Sequence, residues 1–236
     1  MFRLIKSPIR KYHSFYHVNP KIVDMEKIEN QVLSKAYELV PELGFSSKAV
    51  ATAARDLGMT ENTPNGLFKF TAGDLETQLV MFHLKNARQH LLELKDSAEG
   101  TELDKLKYLI NKRLDMNIPI AKHLPQLLGH MIQPSNIVSS LNELHNLSDD
   151  IQYYAGDRSI DFAWYSKRMT ISGLYVQSEL FMINDDSENY QDTKKFVDTK
   201  LGEYESAAYA YNSFEEWTFF NAVSTVNLIK SQLARG

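Results

Sequence analysis

The chain has 236 residues, 43% of them apolar, and carries a formal net charge of -4 with 12 Phe, 12 Tyr and 2 Trp. That share is enough for a sizeable core in one domain or two closely joined halves, and it excludes disorder as the general condition. Cysteine is absent, which excludes disulfides and thiolate metal sites, and no apolar run reaches the roughly 18 residues of a membrane-spanning helix.

Residues 1–23 hold Arg3, Lys6, Arg10, Lys11 and Lys21 without a single acid, interleaved with Phe2, Leu4, Ile5, Ile9, Phe15 and Tyr16. This is the composition of a mitochondrial presequence. A basic tail is the alternative, and under either reading the segment is set aside from the fold. From Asp24 onward the apolar residues recur with a period of about 3.6 and strand-like alternation is scarce. Ile28, Val32, Ala36, Leu39 and Leu43 predict one helix ending near Gly44, followed by a short helix over 47–57. Pro64 and Gly66 make 60–68 a poor helix. Thr71 with Asp74 resembles a capping box opening a long helix through Leu75, Leu79, Phe82 and Leu91. After a break at 97–100, Thr101 with Asp104 opens another, carrying Leu103, Leu106, Leu109, Ile110 and Leu114.

Pro119, Pro125 and Pro134 divide the next portion into shorter pieces, each able to begin a helix. The piece over 135–153 contains Ile137, Leu141, Leu144 and Leu147, and 155–159 is a turn. A helix over 160–183 carries Trp164, Tyr165, Met169, Leu174, Tyr175 and Leu180, and ends in an acidic loop at 184–192 that lacks a balancing base. A helix with Phe196, Val197 and Leu201 follows, and Ser213 with Glu216 caps the last one. The total is nine or ten helices with no internal repeat, which suits a two-part helical fold better than a four-helix bundle.

The residues support little catalysis. A di-iron centre in a helical protein needs Glu-x-x-His pairs, and no Glu here is followed by His three residues later. His83, His90, His123, His130 and His145 are therefore read as surface or capping groups. There is no Gly-x-Ser-x-Gly elbow, no Gly-rich phosphate loop and no dinucleotide fingerprint. No catalytic residue, metal or cofactor is expected.

The segment from Ile28 to Leu84 resembles the N-terminal part of TetR-type repressors in its cadence: Gly44-Phe45, then Val50, Ala53 and Ala54, then Leu57-Gly58-Met59, then Asn65-Gly66-Leu67-Phe68. Its charge argues against DNA contact. Between Gly44 and Phe70, Lys48, Arg55 and Lys69 stand against Asp56 and Glu61, a net of +1, where neutralising several phosphates requires far more.

Two further regions each leave two readings open. Around Trp164, the rings of Trp164 and Tyr165 lie within one helical turn of Asp161, which suits either a docking surface or internal packing with Arg168 paired to an acid. Glu179 is expected at the solvent border of its helix. At the end of the chain, Phe219, Ala222, Val223, Val226, Ile229 and Leu233 form one face, extended by Trp217 and Phe220. Such a helix can dock on its own domain or lie in a bilayer interface.

The run Tyr153-Tyr154-Ala155-Gly156-Asp157, then Asp161, Trp164-Tyr165, Lys167-Arg168, Tyr175, Glu179-Leu180, Met182 and the acidic loop from Asp185 to Thr193 resembles the mitochondrial coenzyme Q (ubiquinone) biosynthesis accessory family. The resemblance extends over essentially the whole chain after the basic leader and is strongest over 148–196. It implies an all-α, TetR-like fold in four parts: a targeting segment at 1–23, a degenerate helix-turn-helix-like region at 24–70, a helical lipid-binding and partner-binding region at 71–208, and an amphipathic membrane helix at 213–236. It implies a non-catalytic homodimer, peripheral on the matrix side of the inner membrane, that binds isoprenoid quinones or their biosynthetic intermediates and supports the pathway's di-iron hydroxylase together with other complex subunits, without nucleic acid. A scaffold subunit without lipid presentation is the alternative, and a DNA-binding regulator a remoter one. The family's hydroxylase-binding patch falls on Ile151, Asp161, Trp164 and Tyr165, and its membrane contact on Trp217, Phe219, Phe220, Val223, Val226, Ile229 and Leu233. The expected pocket liners are Leu106, Leu109, Ile110, Leu127, Met131, Leu141, Met169, Tyr175, Phe181 and Met182.

Overall fold

The computed structural model describes residues 17, 22–69, 73–159 and 162–209, and these residues form helices, turns and loops with no strand among them. The first helix, α1 (Ile28–Glu38), buries Val32, Leu33 and Ala36. The single helix expected up to Gly44 is instead two. The chain breaks at Leu39, and α2 (Val40–Leu43) starts afresh with Pro41 in its first turn, where a missing N–H costs no helical bond. Gly44 ends it at φ +66°, a backbone conformation that L side chains rarely adopt and that favours glycine.

Ser46 caps α3 (Ser47–Asp56) by accepting from the Ala49 N–H, and Ala49, Val50, Ala53 and Ala54 form its buried face. The stretch expected to be a poor helix contains α4 (Thr63–Leu67), because Pro64 falls in its first turn. Asp74, rather than Thr71, caps the next helix; it accepts from the Thr77 N–H at 2.8 Å and opens α5 (Leu75–Leu94). Thr71 lies outside the described residues. The predicted capping box of Thr101 and Asp104 is present at the start of α6 (Glu102–Asp115).

A 3-10 segment, Ile118–His123, leads into α7 (Leu124–Met131), then α8 (Ile137–Ala155), which stops at Gly156 in the left-handed region. The chain continues through α9 (Phe162–Met182) and α10 (Gln191–Tyr209). In the loop between them Asp185 accepts from Ser187 and Thr193, and Lys195 pairs with Asp192 at 2.8 Å, so the acidic cluster is both ordered and partly balanced.

The long α5 is shared by two groups of helices. On one side it packs against α1 and α3, and on the other against α6, α7 and α8; α9 and α10 complete the second group by packing on α8 and α6 respectively. The groups are also tied by Gln126, whose amide donates to the Phe45 carbonyl at 2.8 Å and accepts from the Phe45 N–H at 3.1 Å. One apolar core runs through both, from Val32 and Phe45 to Leu109, Ile151 and Ile171. At about 1.5–3 kcal/mol per fully buried large side chain, this continuity outweighs the surface ion pairs.

Candidate functional site

A cavity of about 290 Å³ opens among α5, α6, α7, α8 and α9, with a wall that is almost wholly apolar. Of the expected liners, Met131, Leu141 and Tyr175 face it. The others lie elsewhere. Leu106, Leu109 and Ile110 are fully buried core residues, because α6 turns that face into α5, α8 and α10, and Leu127 is buried on α7, which packs against α5. Met182 is also core; Met169 is exposed, and Phe181 stacks on Phe196 with ring centroids 4.8 Å apart. The sequence reading missed Leu84, Leu128, Leu144, Leu147, Val176 and Leu180. Helical period identifies an apolar face but cannot distinguish a face that meets another helix from one that borders a void. At the mouth, Leu141 is 58% exposed and the adjoining Ile137 and Val138 are exposed too.

Polar groups converge at the inner end. Arg113 donates through Nη1 to Asn117 Oδ1 at 2.8 Å, and Asn117 donates to Glu179 Oε1 at 2.9 Å. The Tyr175 hydroxyl donates to that same Glu179 oxygen. His83 lies between Asn117 and the Tyr37 hydroxyl, 3.0 Å from each. Two expectations are corrected by this cluster: Glu179 is 1% exposed rather than at the solvent border, and His83 is buried rather than a surface or capping histidine. Burial, with Arg113 nearby, pushes the His83 pKa down to about 3, so the ring is neutral. Burial likewise holds the Tyr175 phenol well above its ordinary value, which leaves it a hydrogen-bond donor.

A second constellation ties α8 to α9. Arg168 bridges Asp149 and Asp157 while its guanidinium lies 4.1 Å above the centroid of Trp164, one turn away. Lys167 joins Asp157 to Glu102, both at 2.9 Å, and Arg88 joins Glu143 to Asp150. Trp164 is half-buried between this network and His145, and meets Tyr165 edge-on at 5.0 Å. Tyr165 is 52% exposed, but Ile151, expected in the same surface patch, is fully buried. It belongs to the core face of α8. Asp161 lies outside the described residues, as do residues 213–236 with Trp217, Phe219, Phe220, Val223, Val226, Ile229 and Leu233.

The fold also reaches into the expected leader. Ile22 donates its N–H to Gln89 Oε1, Val23 is buried, and His17 sits 3.0 Å from Asp149 and 2.6 Å from Asp150, stacked on Tyr153 at 4.4 Å. Burial disfavours the charged ring, but the hydrogen bonds and charges of the two aspartates outweigh it and push the His17 pKa up to about 9. Because the folded value lies above the unfolded value of about 6.5, the contribution is fully present below pH 6.5 and is lost as pH rises through 9. The melting temperature is expected to fall between those limits, and His17→Gln should flatten that part of the profile. Identical wild-type and variant profiles would remove this contact from the stability of the fold.

Among the described residues no group of three or more His, Asp or Glu could hold a metal ion, and no helix is long and apolar enough to cross a membrane.

A crystal structure of the TetR transcriptional regulator from Nitrosomonas europaea superposes with a TM-score of 0.58, covering 75% of this chain and 97% of that one; at 17% identity the likeness is one of fold. The COQ9 family model matches residues 137–208, from α8 through most of α10. The mitochondrial ubiquinone biosynthesis protein COQ9 of Saccharomyces cerevisiae is 35% identical over 247 aligned positions, spanning 100% of this chain and 95% of that protein. The corresponding protein of Schizosaccharomyces pombe is 33% identical, spanning 94% and 87%. COQ9-A of Xenopus laevis is 35% identical over 75% of this chain and 58% of its own length. An all-α, TetR-like chain matched over its full length at this level belongs to the COQ9 family.

Proposed function

We propose that this chain is a non-catalytic lipid-binding accessory protein of ubiquinone biosynthesis, which takes isoprenoid quinone intermediates from the matrix face of the mitochondrial inner membrane and presents them to the pathway's di-iron hydroxylase. The names of its relatives supply the pathway and the organelle. The lipid-binding part is carried by one observation: an apolar cavity with exposed Ile137 and Leu141 at its mouth. Prenyl units burying apolar area at about 25 cal/mol per Å² gain affinity there without a specific polar contact.

The other parts of the reading have separate supports. Tyr165 and the edge of Trp164 offer an aromatic surface to the hydroxylase, with Asp161 three residues before Trp164 in sequence. Residues 213–236 serve as the membrane contact, and a homodimer is the assembly expected of the family. DNA regulation is disfavoured by charge: Arg55, one of the three bases between Gly44 and Phe70, is paired with Glu61 at 2.9 Å.

Mass spectrometry of lipids extracted from the purified full chain, beside a chain lacking residues 213–236, tests the reading. Isoprenoid quinones or their precursors in near-stoichiometric amount are expected in the full chain. Their absence from both samples would overturn lipid carriage and leave a scaffold subunit attached to the complex.

A further inference from the structure

The apolar cavity ends in a carboxylate that is only half used. Glu179 Oε1 receives Asn117 Nδ2 and the Tyr175 hydroxyl, while Oε2 takes no hydrogen bond from any described residue. The residue is 1% exposed and lines the cavity. The remaining polar groups of the wall are otherwise engaged or are donors. The Ser140 hydroxyl is spent on the Asn136 carbonyl, and Glu143 is spent on Arg88 and Asn146. Arg113 keeps Nε and Nη2 without a hydrogen-bond partner. An oxygen of a cavity-lining carboxylate that no protein group donates to is open to a donor from a ligand.

We propose that the inner end of this cavity is a headgroup site, in which Glu179 Oε2 accepts a hydrogen bond from a phenolic hydroxyl on the ligand ring. The inference rests on the reading of the cavity as a lipid site and adds the orientation and chemical class of what enters it. A phenolic hydroxyl has the proton that the carboxylate oxygen accepts. An alkyl chain has none, and a quinone carbonyl or an ether, having no proton to give, leaves Glu179 Oε2 without a donor. The ring therefore lies inward, beside Tyr175 and Glu179, and the apolar tail leaves past Leu141, whose exposure places it at the mouth.

The test is isothermal titration of the delipidated full chain with 2-prenylphenol and with its methyl ether, 2-prenylanisole, a pair differing in the one donor. Wild-type protein is expected to prefer the phenol roughly tenfold or more, as sites built to pair a ligand hydroxyl do. Glu179→Gln keeps a carbonyl for Asn117 and Tyr175 but turns an N–H2 toward the cavity, so the preference should vanish or reverse toward the ether. Equal affinities in the wild type, as a cavity filled by tail or water would give, overturn the headgroup assignment while leaving lipid carriage standing. Binding of neither ring overturns the cavity reading as well. The wild-type pair decides the question even where the variant does not fold.

Discussion

Replacing Arg168 by methionine is expected to destabilise the chain by about 3–5 kcal/mol, which for a protein of this size lowers the melting temperature by roughly 6–20 °C. Arg168 is 3% exposed and satisfies Asp157, itself buried, as well as Asp149, and it covers the face of Trp164. Methionine retains most of the packing but leaves a buried carboxylate with only Lys167 and Ser159. A surface pair such as Lys195 with Asp192, broken in the same way, should cost about 1 kcal/mol at most. The effect has a pH signature. Burial alone would raise the Asp157 pKa, but hydrogen bonds from Arg168, Lys167 and Ser159 hold it at about 2, below the ordinary 3.8. Its stabilisation is therefore present above pH 3.8 and lost as pH falls toward 2. Arg168→Met should move that loss to higher pH in thermal unfolding followed by circular dichroism. A variant that melts with the wild type across this range would show the network to be dispensable.

How far the molecule could be read from its sequence depends on which physical rule each residue obeys. The helices were legible because their rules are local: Thr101 and Asp104 cap as their spacing predicts, and Gly44 and Gly156 end helices at positive φ. Local rules failed where proline can act in two ways. Pro64 argued against a helix and instead begins one, while Pro41 split a helix whose apolar stripe runs through it unbroken. The candidate site was less legible because burial is a property of the assembled helices. Leu109 and Leu144 have the same periodic signature, yet one packs in the core and the other borders the cavity. Glu179 sits among apolar neighbours in sequence, and only the approach of Asn117 and Tyr175 shows why a carboxylate is buried there. Ile151 shows the same limit from the other side. A resemblance assigned it to a partner surface along with Tyr165, but α8 turns it inward. The single signal that could have found the inner polar end is the spacing of Tyr175 and Glu179, four residues apart on one helix face.

The cavity wall and the Trp164 and Tyr165 edge are different surfaces, so two single substitutions should separate the proposed lipid carriage from the proposed docking. Leu144→Trp places an indole in the cavity wall; it should abolish co-purifying isoprenoid lipid while costing no more than about 1–3 kcal/mol, since the added volume has a void to enter. The Trp164 and Tyr165 edge lies outside this wall, so binding of the hydroxylase should survive in a pull-down. Tyr165→Ala should do the reverse. Tyr165 is 52% exposed, so truncating it changes stability little, but it removes an aromatic anchor from the proposed interface. Trp164→Ala is a poorer probe of docking, because Trp164 also stacks beneath Arg168 and its loss would disturb the buried ion network. Presentation requires the two functions to be separable in this way yet both necessary, so each variant alone should fail to support hydroxylation of a membrane-borne intermediate by the added hydroxylase. Full support by Leu144→Trp would mean that the chain serves the hydroxylase without carrying its substrate. Full support by Tyr165→Ala would move the docking surface to another face of the molecule.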